Sequence, residues 1–332
     1  MDDRQQEQCA GSAGETVARI VYASRATIRE SVYAEMEKIR ANALRHNNPA
    51  GVATALLHQS GWFVQWKEGP EEAVRDIMDR VRVDARHRDL RLVHASKGPR
   101  LLSGPWSMAI VQGQDHVMDM ERRVLALQRE VDAGVEFSPP AIWRRLSTPL
   151  QHPGAMQQQD PDAFQRVLVC SAAGTGSFEL TDWLARLHGC DVVHRRFAGA
   201  QSTDVATDYV DFVHDGRVLR VIAMARHGLL LPLTRAFLPD YSLLVLLLAA
   251  DADANARLMV RVLEALRPLP QPPALLALAR HSQSHTEPAA LARRCGLDYG
   301  AGVADPADPA GCWEALQTLP TALARPARAC SQ

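Results

Sequence analysis

Gly61-Trp62-Phe63-Val64-Gln65-Trp66-Lys67-Glu68-Gly69-Pro70 sets a carboxamide in the middle of an apolar strand, just before a Glu-Gly-Pro turn. A buried glutamine is costly unless its donor and its acceptor are both matched, so something polar and flat is expected against that strand. Val52 to His58 is a second apolar run, and the Gln-Ser-Gly between the two reads as a hairpin turn. After Pro70, Val74, Ile77, Met78 and Val81 recur at helical spacing. Upstream, the chain is strand-like from Val17, and Ile28, Val32, Met36, Ile39 and Ala43 mark another amphipathic helix. Arg91 to Ala95 and Ser107 to Val111 add two strands. The order strand, helix, strand, strand, helix, strand, strand predicts an α+β, ferredoxin-like sandwich over 16–112, with both helices on one face of the sheet.

The full chain of 332 residues, 47% of them apolar, is long enough for two domains with cores. A formal net charge of -1 with interspersed signs gives no electrostatic footprint for nucleic acid or an anionic membrane. Six cysteines, Cys9, Cys170, Cys190, Cys295, Cys312 and Cys330, form no C-x-x-C pair, which fits a reducing compartment. The polar N-terminus lacks an apolar core segment, so a cytoplasmic protein with a disordered tail over 1–15 is expected. The longest apolar run, Leu243 to Ala250, is far below the roughly 20 residues that span a bilayer and suits a buried strand.

Val117, Met120, Val124, Leu127 and Val131 repeat at three and four, forming a seam on one helix. Either the seam caps the bare face of the sheet, or it makes a homodimer through the helix at 115–133. Prolines and Gln157-Gln-Gln-Asp-Pro161 mark residues 134–164 as a linker, so 113–164 reads as cap helix and linker. From 165 to 325, apolar strands alternate with helices, and Asp215-Gly216 signals a hairpin. That alternation predicts an α/β domain with a mostly parallel sheet covered on both sides.

Five segments of the first half share one pattern: Val21-Tyr22-Ala-Ser24, Arg45-His46-Asn47-Asn48-Pro49, Phe63-Val-Gln65-Trp-Lys-Glu68-Gly69, Asp84-Ala-Arg86-His87 and Trp106-Ser-Met108. In order and spacing they resemble the BLUF family, sensors of blue light using FAD. The resemblance covers 17 to about 112. It implies a cytoplasmic photoreceptor that signals rather than turns over a substrate, with FAD bound (FMN or riboflavin being substitutes) and no metal. It also implies site residues Tyr22, Ser24, His46, Asn47, Gln65, Arg86, His87, Trp106 and Met108, with Tyr22 and Gln65 as the photoactive pair. An amide can read the mixed donors and acceptors along an isoalloxazine edge. Tyr22 would supply an electron and a proton, leaving Gln65 with a rearranged hydrogen-bond pattern. The strand bearing Trp106 and Met108 would carry the signal to the next helix. Two residues depart from the family: Thr54 in Val52-Ala-Thr54, where a glycine is usual, and Lys67 in place of a common leucine. Neither is expected to touch the photoactive pair.

The second half resembles the small-GTPase, P-loop-type fold in strand order, with degenerate nucleotide motifs. In Ser171-Ala-Ala-Gly174-Thr-Gly176-Ser177-Phe178, Ser177 and Phe178 stand where a P-loop needs Lys and Ser or Thr. Ser202 to Tyr209 is similar to a switch region. Ala225-Arg-His-Gly228 lacks the Asp of Asp-x-x-Gly, and Arg280-His-Ser282 replaces Asn-Lys-x-Asp. The resemblance therefore implies a pseudo-GTPase that binds an unidentified protein partner. A weak GTPase, a light-regulated hydrolase and a light-insensitive scaffold stay open. His281, His285 and Cys295 have ligand-like spacing, but Ser-Gln-Ser-His-Thr reads equally well as a polar loop.

Overall fold

The computed structural model describes residues 16–28, 31–112, 116–147, 164–174, 176–199, 204–225 and 227–318. The 1–15 tail with Cys9, the stretch Gln157 to Pro161, Thr175, Ser202, Thr203 and Cys330 lie outside the described residues.

The first half runs β1 (Thr16–Ala26), α1 (Val32–His46), β2 (Ala53–Gln59), β3 (Trp62–Gly69), α2 (Glu71–Arg82), β4 (His87–Pro99) and β5 (Trp106–Gln112), in the expected order. Ser31 caps α1 by accepting from the Ala34 amide. Ser60 and Gly61 both take left-handed φ, 49° and 74°, as a tight two-residue hairpin turn requires. The strands lie side by side as β5-β2-β3-β1-β4. On one face, Met36, Ile39 and Ala43 of α1 pack with Leu56, Phe63, Trp106 and Met108. Val74 and Ile77 of α2 pack there with Val52.

The other face carries α3 (Val117–Asp132) and α4 (Pro139–Ser147). Met120, Val124 and Leu127 join Ile142, Trp143 and Leu146 in the cluster that includes Val21, Val64 and Trp66. The middle of the heptad seam is thus packed inside the chain, as a cap on the sheet requires, while Val117 at its start is 43% exposed. The linker assignment is corrected, because residues 139–147 are a core helix.

The second half contains β6 (Phe164–Ser171), α5 (Gly176–His188), β7 (Val193–Gly199), β8 (Asp204–His214), β9 (Arg217–Met224), α6 (Pro232–Phe237), β10 (Leu243–Leu247), α7 (Ala252–Leu266), β11 (Ala274–Ala279), α8 (Thr286–Arg294), β12 (Tyr299–Val303) and α9 (Pro309–Thr318). The strands order as β7-β8-β9-β6-β10-β11-β12. Pairing is parallel from β9 through β12 and antiparallel at β7–β8 and β8–β9. Residues 204–209, similar in sequence to a switch region, are strand: all six pair with β7, and 207–209 pair with β9 as well. His285 places its ring nitrogens on Tyr299 Oη and the Gly302 carbonyl, at 3.0 and 3.1 Å.

The halves are joined by more than a linker. β5 pairs antiparallel with β7, Met108 opposite Ala198 and Val111 opposite Arg195, making one sheet of 12 strands. Among the described residues no helix is long and apolar enough to cross a membrane.

Inside this sheet, Arg220 donates to both Asp211 oxygens at 2.7 and 2.5 Å, with the pair buried. Asp211→Ala leaves that guanidinium buried without its carboxylate and is expected to cost about 3–5 kcal/mol in denaturant unfolding.

Candidate functional site

Pairing register builds the site. Tyr22 lies opposite Gln65, Gln65 opposite Leu56, and Leu56 opposite Met108, so one row crosses four strands. The next row runs Ile20, Lys67, Thr54, Trp106. Side chains alternate along a strand, so Phe63, Gln65 and Lys67 share the face covered by α1 and α2. Between those helices and the sheet is a cleft lined by His46, Asn47, Gln65, Arg86, His87 and Trp106, with Lys67, Arg80, Asp84 and Asn42 also on its walls.

Six of the nine expected residues therefore meet in one cleft. The other three stand behind it. Tyr22 is beside Gln65, Ser24 Oγ lies 2.7 Å from His87 Nδ1, and Met108 is buried under α1 with Trp106. Burial pushes His87 down to about 4, so a neutral ring meets the Ser24 hydroxyl at neutral pH. Asn47 closes α1 with its backbone amide on the Ala43 carbonyl, and its Nδ2 donates to Thr54 Oγ1 at 3.4 Å. Arg86 is held by Asp84 through a forked contact and by Glu35 at 3.6 Å. Asp84 accordingly raises the Arg86 guanidinium.

Three residues bring polar groups without protein partners to the cleft region: Tyr22, Gln65 and Trp106, whose indole Nε1 is buried with no hydrogen bond. The Tyr22 hydroxyl is buried with no hydrogen bond. Burial, with Asp84 adding to it, raises its pKa well above the ordinary phenol, so the proton stays on. Gln65 is 3% exposed, and the described residues offer its carboxamide no hydrogen bond. Both conditions suit a ligand whose edge carries acceptors and donors.

Lys67 was expected not to touch the pair. Instead its Nζ sits 6.0 Å from the Tyr22 ring centroid, with the residue 2% exposed. Burial, with Arg80 second, pulls it down to about 7. The two-residue period that orients Gln65 also orients Lys67, so its direction was readable from the chain. Thr54, the other departure from the family, accepts from Asn47 Nδ2. Glu68, fully buried, accepts from the Trp66 indole and from the Leu101 and Leu102 amides, pinning the loop that leads into β5.

Residues 17–109 match the family described as BLUF, sensors of blue-light using FAD. They form a BLUF domain. BLUF domains use FAD as their chromophore, which makes this a blue-light sensory flavoprotein module. The photoactivated adenylate cyclase subunit beta of Euglena gracilis is 35% identical over 94 residues, 28% of this chain and 11% of that protein. The chain thus spans only a small part of the curated relatives it matches. Among solved structures, BlrB in its dark state is 21% identical, covering 37% of this chain and 100% of that one at a TM-score of 0.28. BlsA in its photo-activated state is 16% identical, covering 39% and 91% at a TM-score of 0.30.

For FAD, the donor set on the cleft walls fits and the space is tight. The cleft encloses about 100 Å³, against roughly 300–1,000 Å³ for ordinary ligand pockets. Its walls include the long side chains of Lys67, Arg80 and Arg86.

Proposed function

We propose that the chain is a blue-light photoreceptor in which Tyr22 and Gln65 are the photoactive pair and the second half is a small-GTPase-like output domain that binds a protein partner. The observation carrying the first part is the register that sets an unpartnered phenol against an unpartnered carboxamide at the cleft. Bound FAD supplies a strong oxidant when it absorbs blue light. Tyr22 holds a proton at Oη and passes it toward the Gln65 carboxamide beside it. Gln65, having both a donor and an acceptor, can exchange them by rotation or tautomerisation. Asn47, His46, Arg86 and His87 bind and orient the cofactor's polar edges, and Trp106 and Met108 exclude water beneath α1.

The output reading is supported by strand order. The run β8-β9-β6-β10-β11-β12, antiparallel only at β8, is compatible with a small-GTPase-like order and supports that reading. The described residues of the 171–178 loop differ from a phosphate-binding one. Ser177, at the lysine position, is fully buried. The Pro306 carbonyl closes to 3.1 Å from where a Cβ on Gly176 would stand, and Arg280 pairs with Asp305 at the same mouth. A phosphate entering there meets Glu179 and Asp305 on the walls. These features favour partner binding over nucleotide turnover as the role of the second half.

A light-minus-dark absorption spectrum of the purified full chain tests the sensor reading. The protein is expected to be yellow, to shift slightly to the red under blue light and to recover in darkness. A colourless protein, or a yellow one with an unchanging spectrum, overturns it.

A further inference from the structure

On the opposite face of the sheet from the flavin cleft, a cavity of about 50 Å³ lies where the two halves meet. Leu57, Ala109 and Val111 of the sensor module form one wall, and Trp143 and Arg144 of α4 another. The second half contributes Arg166, Arg195, Arg220 and Tyr241. Both carboxylates at this place are already committed, Asp211 to Arg220 and Asp240 to Arg144. Arg195 is different. It sits opposite Val111 in the β5–β7 ladder, its guanidinium stacked 4.6 Å from the Tyr209 ring centroid and 5.3 Å from that of Phe197. The described residues give it no hydrogen bond or ion pair, and its Nε is sealed from solvent.

Arg195 is half-buried, with only Nε fully sealed, so its cation is partly stripped of water, and a counter-ion at the cavity offsets that cost. Burial, with the Arg220 charge adding to it, pushes the Arg195 guanidinium below its ordinary value, yet arginine stays charged across the physiological range. The second guanidinium on the Tyr209 ring, Arg220 at 4.1 Å, adds to the positive field. We propose that this junction cavity binds one small tetrahedral oxyanion of the phosphate or sulfate kind, gripped by the Arg195 fork. The planar, five-donor guanidinium matches such an anion geometrically. Size narrows the ligand class. A single water needs about 10–15 Å³ of such space, whereas cofactor-sized ligands need several hundred. The site does not depend on the photochemical reading.

Inorganic phosphate is the probe, added to the full-length protein against sodium chloride at equal ionic strength. Phosphate is expected to raise the thermal midpoint saturably, beyond chloride, in the form 1 + [L]/Kd. The ³¹P line of phosphate should broaden with the wild-type protein. Arg195→Gln should weaken binding at least about tenfold. Three results overturn the proposal: a midpoint that follows chloride with no ³¹P broadening, equal saturable stabilisation by chloride, or unchanged phosphate affinity in Arg195→Gln. If Arg195→Gln fails to fold, the wild-type titration and line width decide alone.

Discussion

Gln65→Leu is expected to give a folded, yellow protein whose spectrum no longer shifts under blue light, and Tyr22→Phe the same. The light-minus-dark amplitude should fall to baseline in both. Structure makes these variants clean tests. Removing a polar group normally strands its partner at a cost of about 1–3 kcal/mol. Here neither the Tyr22 hydroxyl nor the Gln65 amide has a partner among the described residues, so no partner is stranded. Leu at 65 also lands beside Leu56 on an already apolar row. Denaturant midpoints should therefore move by less than about 1 kcal/mol in either variant. A full, reversible shift in Tyr22→Phe would remove the phenol from the mechanism, and one in Gln65→Leu would remove the amide.

The size of that switch limits how the output can read it. A rearranged neutral hydrogen bond is worth about 0.5–1.5 kcal/mol, a population change of roughly two- to twelvefold. The β5–β7 ladder is backbone pairing running from Ser107 opposite Gly199 to the end of β5. Such a bond change cannot unzip it. What it can bias is side-chain packing on the two faces of β5, where Met108 meets Ala198 in the cluster under α1 and Ser107 Oγ accepts from the Leu233 amide of α6. The second half thus meets the sensor's last strand directly, through the β5–β7 ladder and the Ser107–Leu233 contact.

Local patterns carried much of this fold. Of the α1 stripe Met36, Ile39 and Ala43 are buried while Val32 is half-buried and Ile28 lies ahead of the helix, and of the α2 stripe Val74, Ile77 and Met78 are buried and Val81 half-buried. Asp215-Gly216 makes its turn, with φ of 48° and 73°. Helix α4 was lost because Pro139-Pro140 reads as linker, although proline is favoured in a first helical turn. The extent of β4 was missed because it is an edge strand with little buried side chain. The β5–β7 junction had no local signal at all, since any apolar strand can pair with another. The Arg195 cavity follows from that junction and was equally invisible. Lys67 is the instructive case: its orientation was legible, but a lysine reads as solvent-facing until α1 and α2 are seen to cover it.

Lys67→Met should stabilise the protein at pH 7 and below by roughly 3 kcal/mol, somewhat under what a move from 10.5 to about 7 represents at 1.4 kcal/mol per pH unit. The folded value lies below the unfolded one. Between about 7 and 10.5 the unfolded chain therefore binds more protons, and wild-type stability rises as pH climbs through that window. Below about 7 both states are charged and the full burial cost remains. The variant should be flat over the same window, so the two curves converge toward pH 10. Buffer scans of the denaturant midpoint from pH 6 to 10 measure this, and parallel curves would show that the ammonium is not the source of the cost. The same charge bears on the light reaction. A cation 6.0 Å from the Tyr22 ring centroid stabilises the neutral, electron-rich ring and opposes its oxidation. Lys67→Met should consequently raise the yield of the red-shifted state at pH 6. Wild type should approach the variant's yield as Lys67 loses its proton above about pH 7.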